Sequence, residues 1–279
     1  MPLPKLRELI ARWFFMAHAT GRYSGSFESQ FEADVARLSE LKAGDATGFQ
    51  GRLNDVIDNT LTTDFWSITL PDQLATSASK SPALMGYIAA LNILNADVLL
   101  STGKVRSRLD PAIIAKKGIE RHHLFPRAYL REKLDIKETR RINQIANMAL
   151  VEWSDNIAIS DDAPADYWDA QVADKKLPAA RLERQMYHHA LPVGWQNLEY
   201  DDFLAARRKL MAQVVKKAFE QLGEDAYQPQ YRDPSATAAD RPAAGRSFTP
   251  APAFPRVGSA VNSEFVVARR CQTDAQRPA

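Results

Sequence analysis

The sequence predicts a mainly α-helical protein with a small α+β core. Three observations predict it. Apolar residues recur at helical spacing through the first hundred positions, two short runs with strand character (GIERHHLF and ANMALVEW) stand in the middle, and a long amphipathic helix, FLAARRKLMAQVVKKAFEQL, follows them. A hydrophobic share of 45% with 25% charged residues is that of an ordinary globular chain, and 279 residues can bury a sizeable core.

Residues 3–18 carry Leu6, Leu9, Ile10, Trp13, Phe14 and Ala17 at helical spacing, predicting an amphipathic helix that ends near Gly21. Phe27, Phe31, Val35 and Leu38 repeat the pattern, and Phe49, Leu53, Val56 and Ile57 mark a third helix. Aromatic and aliphatic stripes of this kind are expected in the core. Thr62 to Ser81 is expected to be irregular. Ser81 and Pro82 form a cap and first-turn pair for a long helix over 82–100. Asn92, Asn95 and Asp97 interrupt the apolar run of that helix, which is expected to be buried in protein and not in a membrane. Arg7, Glu8 and Arg12 break up the apolar N-terminus, which lacks the layout of a signal peptide. A cytoplasmic location is expected, in keeping with the single cysteine, Cys271.

From Ser101 the pattern changes to a basic connector (KVRSRLDP), a strand closed by Pro126, a helix (RAYLREKL), a basic bridge (IKETRRINQ), a second strand, a loop (SDNIAISDDAP) and a helix opened by Pro164. Two more helices are predicted over 180–190 and 201–222. In the second, Phe203, Leu204, Leu210, Val214, Ala218 and Leu222 form the core stripe, with Arg207, Arg208, Lys209, Lys216 and Lys217 on the solvated face. The organisation expected is a helical N-terminal region (1–100), a central core (101–176), C-terminal helices packing on it (177–223) and a disordered Pro/Ala/Arg-rich tail (224–279).

The net charge is only +2, but Lys104 to Arg141 holds twelve Lys/Arg against five Asp/Glu. Within that basic block, where a phosphate backbone could approach, lie His122 and His123, two of the five histidines in the chain. Paired imidazoles suit metal-assisted hydrolysis of a phosphodiester. One histidine, with its pKa near working pH, takes a proton from water, while a divalent cation neutralises charge on phosphoryl and leaving oxygens. Neighbours on a strand point to opposite sides, so one ring can face substrate while the other turns to a metal. Lys104, Arg106, Arg121 and Arg127 are candidates for contacting phosphate. His188 and His189 in MYHHALP are expected to be packing or surface residues.

ERHHLFP, followed by Asn147 and then Asn156 nine residues later, resembles the HNH, or His-Me finger (ββα-metal), nuclease motif. More narrowly, RWFFMA, RYSGS, KVRSRLDP, ERHHLFPRAYL, INQIANMALVEWSDN and APADYW together resemble the C-terminal nuclease half of GmrSD-type restriction proteins, over roughly residues 3–222. The resemblance implies a helical scaffold around a ββα-metal motif. It implies that His123 is the general base, that His122 and Asn156 hold the metal, and that Asn147 braces the loop carrying the histidines. The implied cofactor is Mg²⁺, or Mn²⁺, with Zn²⁺ a weaker fit. The implied activity is endonucleolytic cleavage of DNA, in restriction of or defence against foreign or modified DNA. Complete GmrSD-type proteins carry a nucleotide-hydrolysing half with an Asp-Gly-Gln-Gln-Arg-like motif, which this sequence lacks, so a separate nucleotide-hydrolysing subunit is an expected partner. The alternative is a nucleic-acid-binding subunit that is inactive without its partner.

Overall fold

The computed structural model describes residues 1–109, 119–152 and 162–223, all within one compact unit, Met1–Pro229. Helix α1 (Leu3–Ala19) is followed by α2 (Phe27–Ala36) and α3 (Ala46–Thr60). Gly21 ends the first of these turns with φ +64, and a Cβ there would lie 2.9 Å from Pro82 Cγ, so only glycine allows α1 to meet the following layer this closely. The stretch expected to be irregular contains helical structure, a π-turn at Phe65–Thr69 running into α4 (Leu70–Gln73). Burial of Phe65, Leu70 and Leu74 against the long C-terminal helix overrides the weak local pattern.

Helix α5 (Pro82–Ile93) begins as expected, with the Ser81 hydroxyl accepting a hydrogen bond from Leu84 N–H at 3.2 Å. It ends earlier than the predicted 100. Asn95 takes a left-handed conformation (φ 50), and the chain then runs alongside the small sheet, where Leu99 N–H donates to Leu150 C=O at 3.1 Å. The one-turn helix α6 (Val105–Arg108) follows.

Strand β1 (Ile119–His123) leads through Leu124–Pro126 into α7 (Arg127–Glu132) and the single turn α8 (Thr139–Ile142). A 3₁₀ turn at Ile145–Asn147 then enters β2 (Met148–Glu152). The strands pair antiparallel, with His122 opposite Ala149 and His123 opposite Met148. Helices α9 (Pro164–Lys175), α10 (Ala179–His188) and α11 (Tyr200–Leu222) complete the described chain. The fold is thus mainly helical with a two-stranded antiparallel sheet. The tail expected to be disordered and the 153–161 segment lie outside the described residues.

Helix α11 is the organising element, packing on α1, α4, α5 and α10 and on the turn before β2. Its expected core stripe is buried, with Leu210 partly so. One expectation for it fails. Arg207 is not solvated but fully buried, its guanidinium donating to the carbonyls of His189 (3.2 and 3.1 Å) and Ala146 (2.7 Å). A buried cation needs such partners, and here it ties the helix to both α10 and the turn carrying Asn147.

The N-terminal stripes also differ from expectation. In α1 the buried positions are Leu9, Phe15, Met16, Ala17 and Ala19, while Ile10 and Phe14 face solvent, Phe14 at 70% exposure. In α2, Phe27, Phe31 and Val35 are exposed, and the one buried side chain is Asp34. Asp34 accepts hydrogen bonds from Arg22 and from the Tyr23 hydroxyl, so a polar contact anchors this helix where sequence periodicity pointed to an apolar one.

Candidate active site

Residues 121 and 123 share one face of β1 and residues 120 and 122 the other. On the first face, Arg121, His123 and Arg127 line a cleft of about 290 Å³ together with Asn143, Ser77 and Ser79. Asn143 and the two serines carry no signal comparable to a histidine pair. Asn143 stands four residues before Asn147, at the C-terminal end of α8. The serines come from the loop before α5, over forty positions upstream of His123, and only the tertiary fold delivers them.

The His123 ring is held by a 2.9 Å hydrogen bond between its Nε2 and the Asn143 side-chain oxygen. A carboxamide oxygen only accepts, so Nε2 carries the proton and Nδ1 keeps its lone pair. Burial pushes the His123 pKa below the ordinary histidine value, and the Arg127 and Arg121 charges act in the same direction, opposed by the bond to Asn143. His123 is therefore neutral at neutral pH, the state a proton acceptor needs.

Asn147 is fully buried directly behind this face. Its side-chain oxygen accepts from Phe125 N–H at 2.8 Å, and its amide donates to the carbonyls of Phe125 (3.1 Å) and Ile142 (3.0 Å). Its own carbonyl accepts from Leu124 N–H at 2.8 Å. The Tyr167 hydroxyl donates to Leu124 C=O at 2.7 Å, so the loop that follows the histidines is held from two sides. Burial raises the Tyr167 pKa, keeping that donor protonated. Phe125 and Pro126 are themselves buried, with Phe125 packed on Tyr200 and Phe203. Rigidity of this kind fixes the direction of the His123 ring.

His122 takes the opposite face. It is buried, with Nε2 sheltered from solvent, and its ring meets Tyr167 edge-on at 6.3 Å. Asn156, assigned to the same metal by resemblance, lies outside the described residues. Among the described residues no three His, Cys, Asp or Glu side chains converge in a way that could hold an ion.

The basic candidates separate. Arg121 and Arg127 are exposed on the cleft and form no ion pair among the described residues, although they sit close enough to act on His123. Lys104 instead bridges to Asp97 at 2.6 Å and donates to Asn95 C=O, a structural use away from the cleft lining. Arg106 is exposed on α6 and does not line the cleft. Of the second histidine pair, His189 is buried with Nε2 2.9 Å from Asp97 C=O, and burial lowers its pKa to about 4. It stays neutral as part of the core.

Comparison with known proteins leaves the geometry to stand alone. No family model, curated protein or solved structure matches the chain. No helix among the described residues is long and apolar enough to cross a membrane.

Proposed function

We propose that this chain is a divalent-metal-dependent endonuclease of the HNH, or His-Me finger, type, hydrolysing phosphodiester bonds of DNA. The observation that carries the reading is the setting of His123. A neutral imidazole with its proton fixed on Nε2 by Asn143, and so with Nδ1 unprotonated, lines a cleft flanked by two arginines that no carboxylate engages among the described residues. In this reading Nδ1 of His123 takes a proton from the attacking water. Arg121 and Arg127 bind phosphoryl oxygens and hold the scissile group before it. Asn143 fixes the tautomer, and Asn147 holds the loop so that the ring cannot turn away.

The antiparallel β1–β2 pair is the ββ portion of a ββα-metal motif in this proposal. His122 and Asn156 are the residues that would hold a metal ion. One imidazole nitrogen and one carboxamide oxygen suit a cation that keeps most of its water, as Mg²⁺ or Mn²⁺ does, better than the closed donor set of structural Zn²⁺. Such an ion, when bound, supplies charge neutralisation at the phosphoryl and leaving oxygens. Restriction of foreign or modified DNA, a cytoplasmic setting and a separate nucleotide-hydrolysing subunit extend the proposal from the sequence resemblance.

The test is cleavage of plasmid DNA by purified protein with Mg²⁺ or Mn²⁺. Nicking or linearisation is expected, abolished by EDTA. Undiminished cutting in excess EDTA, or by the His123→Ala variant, would overturn the assignment.

A further inference from the structure

A second concavity takes part of its wall from the same segment that lines the cleft, residues 77–85. It has a volume of about 400 Å³, with walls from Trp13, Phe14, His18, Tyr23 and Met85 and with Lys80 at its edge. One segment of the chain serves both concavities. Ser77, Ser79 and Leu84 line the cleft, while Lys80, Pro82 and Met85, interleaved with them in sequence, line the groove. Successive Cα atoms are about 3.8 Å apart, so a nucleotide or two of an extended strand spans that segment. Among the described residues no carboxylate lines either concavity and Lys80 forms no ion pair, so both linings are complementary to a polyanion.

The groove has the chemistry of a stacking site. Phe14 and His18, one turn apart on α1, are stacked with their planes nearly parallel, with centroids 5.9 Å apart and an interplanar angle of 12°. Both are exposed, Phe14 at 70%, although helical periodicity alone would have placed Phe14 in the core. A phenyl ring left mostly exposed gains little from folding, whereas in a concavity its uncovered π-face is available to a planar partner.

We propose that this groove binds a nucleobase of the strand whose phosphodiester occupies the cleft, so that the preferred substrate presents at least one unstacked base beside the scissile bond. The proposal rests on the nuclease reading for its cleft and adds a base-binding subsite supplied by the N-terminal helices. The strand enters with its backbone against Arg121 and Arg127, crosses the Ser77–Pro82 loop, and lays the flanking base among Phe14, Tyr23 and Trp13. Stacking is tolerant of base identity, since every base has a π-face, so the subsite selects unpaired structure before it selects sequence.

The experiment compares two fluorescein-labelled 12-mer deoxyoligonucleotides, one with bases and one abasic with the same phosphates, binding the full chain in EDTA by polarisation. The wild type is expected to bind the base-bearing strand about 5- to 100-fold more tightly. Phe14→Ala, at an exposed position, should remove most of that preference, and Phe14→Tyr should restore it. Equal affinity of the wild type for both strands, or a preference that survives Phe14→Ala, overturns the subsite. Hydrolysis of bis(4-nitrophenyl) phosphate with Mn²⁺, which needs only the cleft, reports separately on the nuclease reading. Turnover without base preference defeats the subsite alone. Base preference without turnover supports the subsite and defeats the catalytic assignment.

Discussion

At the end of β1 the His122–His123 pair divides between a sheltered face and an open cleft, whereas at the end of α10 the His188–His189 pair closes on the polypeptide itself. Burial lowers the pKa of both His123 and His189. The difference lies in what the second nitrogen meets. His189 is enclosed at 1% exposure, bonded to Asp97 C=O, with its own carbonyl held by the buried Arg207. His123 is only half-buried, anchored through Nε2 and lining a cleft with two arginines that form no ion pair among the described residues. A perturbed pKa by itself is shared by a packing residue and a catalytic candidate, and access separates them.

The largest effect expected from this contrast is kinetic. His123→Ala should lower the cleavage rate by about 10²–10⁴, the usual worth of a positioned acid or base, with little change in the urea midpoint. His189→Ala should do the reverse. Activity per folded molecule persists, while stability falls by about 1–3 kcal/mol as the Asp97 carbonyl loses its partner. Matching losses of activity and stability in both variants would erase the distinction between the pairs.

Next in size is the brace behind the cleft. Asn147→Ala removes three side-chain hydrogen bonds from a fully buried site and should cost about 3 kcal/mol in urea unfolding. Asn147→Asp keeps the acceptor for Phe125 N–H but turns a carboxylate toward two carbonyls, so it should not rescue stability. A neutral result in both would mean that the packing of Phe125 and the backbone contacts at Leu124 hold the loop without the Asn147 side chain.

Acid sharpens the comparison from the other pair. An unfolded histidine is protonated near 6.5, but His189 in the fold only near about 4, because burial and then the Arg207 and His188 charges outweigh the bond to Asp97 C=O. Between those values the unfolded chain binds the extra proton. The stabilising contribution is therefore complete above 6.5 and lost progressively as the pH falls toward 4. Chemical denaturation at pH 8 and pH 5 should differ by about 2 kcal/mol from this group. His189→Gln, if it folds, should flatten that slope, and an unchanged slope would exclude His189 as its source.

The smallest effect tests tautomer control. Asn143→Ala should reduce kcat by about 2- to 10-fold, the value of one hydrogen bond, without altering affinity for an uncleaved strand. A rise in KM at constant kcat would instead place Asn143 in substrate binding.

Much of this architecture was legible as pattern. Ser81–Pro82 marks the start of α5, GIERHHLF reads as a short strand stopped by Pro126, and the apolar, branched content of ANMALVEW reads as its partner. Departures came where tertiary contacts outbid local signals. Arg207 reads as a solvated residue in a basic run, yet three carbonyl contacts from distant elements make its burial favourable. Phe27, Phe31 and Val35 read as core, yet α2 is held through Asp34 and leaves them exposed. In the cleft, His123, Arg121 and Arg127 could be singled out from the sequence, but Asn143, Ser77 and Ser79 could not, since isolated amides and hydroxyls are common everywhere.

The amino-acid order by itself determined most element types, the 65–73 helical stretch excepted, and the chemistry within reach, because helical periodicity, a proline stop and adjacent imidazoles are local properties of a chain. Only the tertiary structure decided which imidazole opens to solvent, which cation is spent on structure as Lys104 is on Asp97, and which aromatic ring stays outside. Those outcomes depend on distances between residues far apart in sequence, and short-range pattern does not encode them.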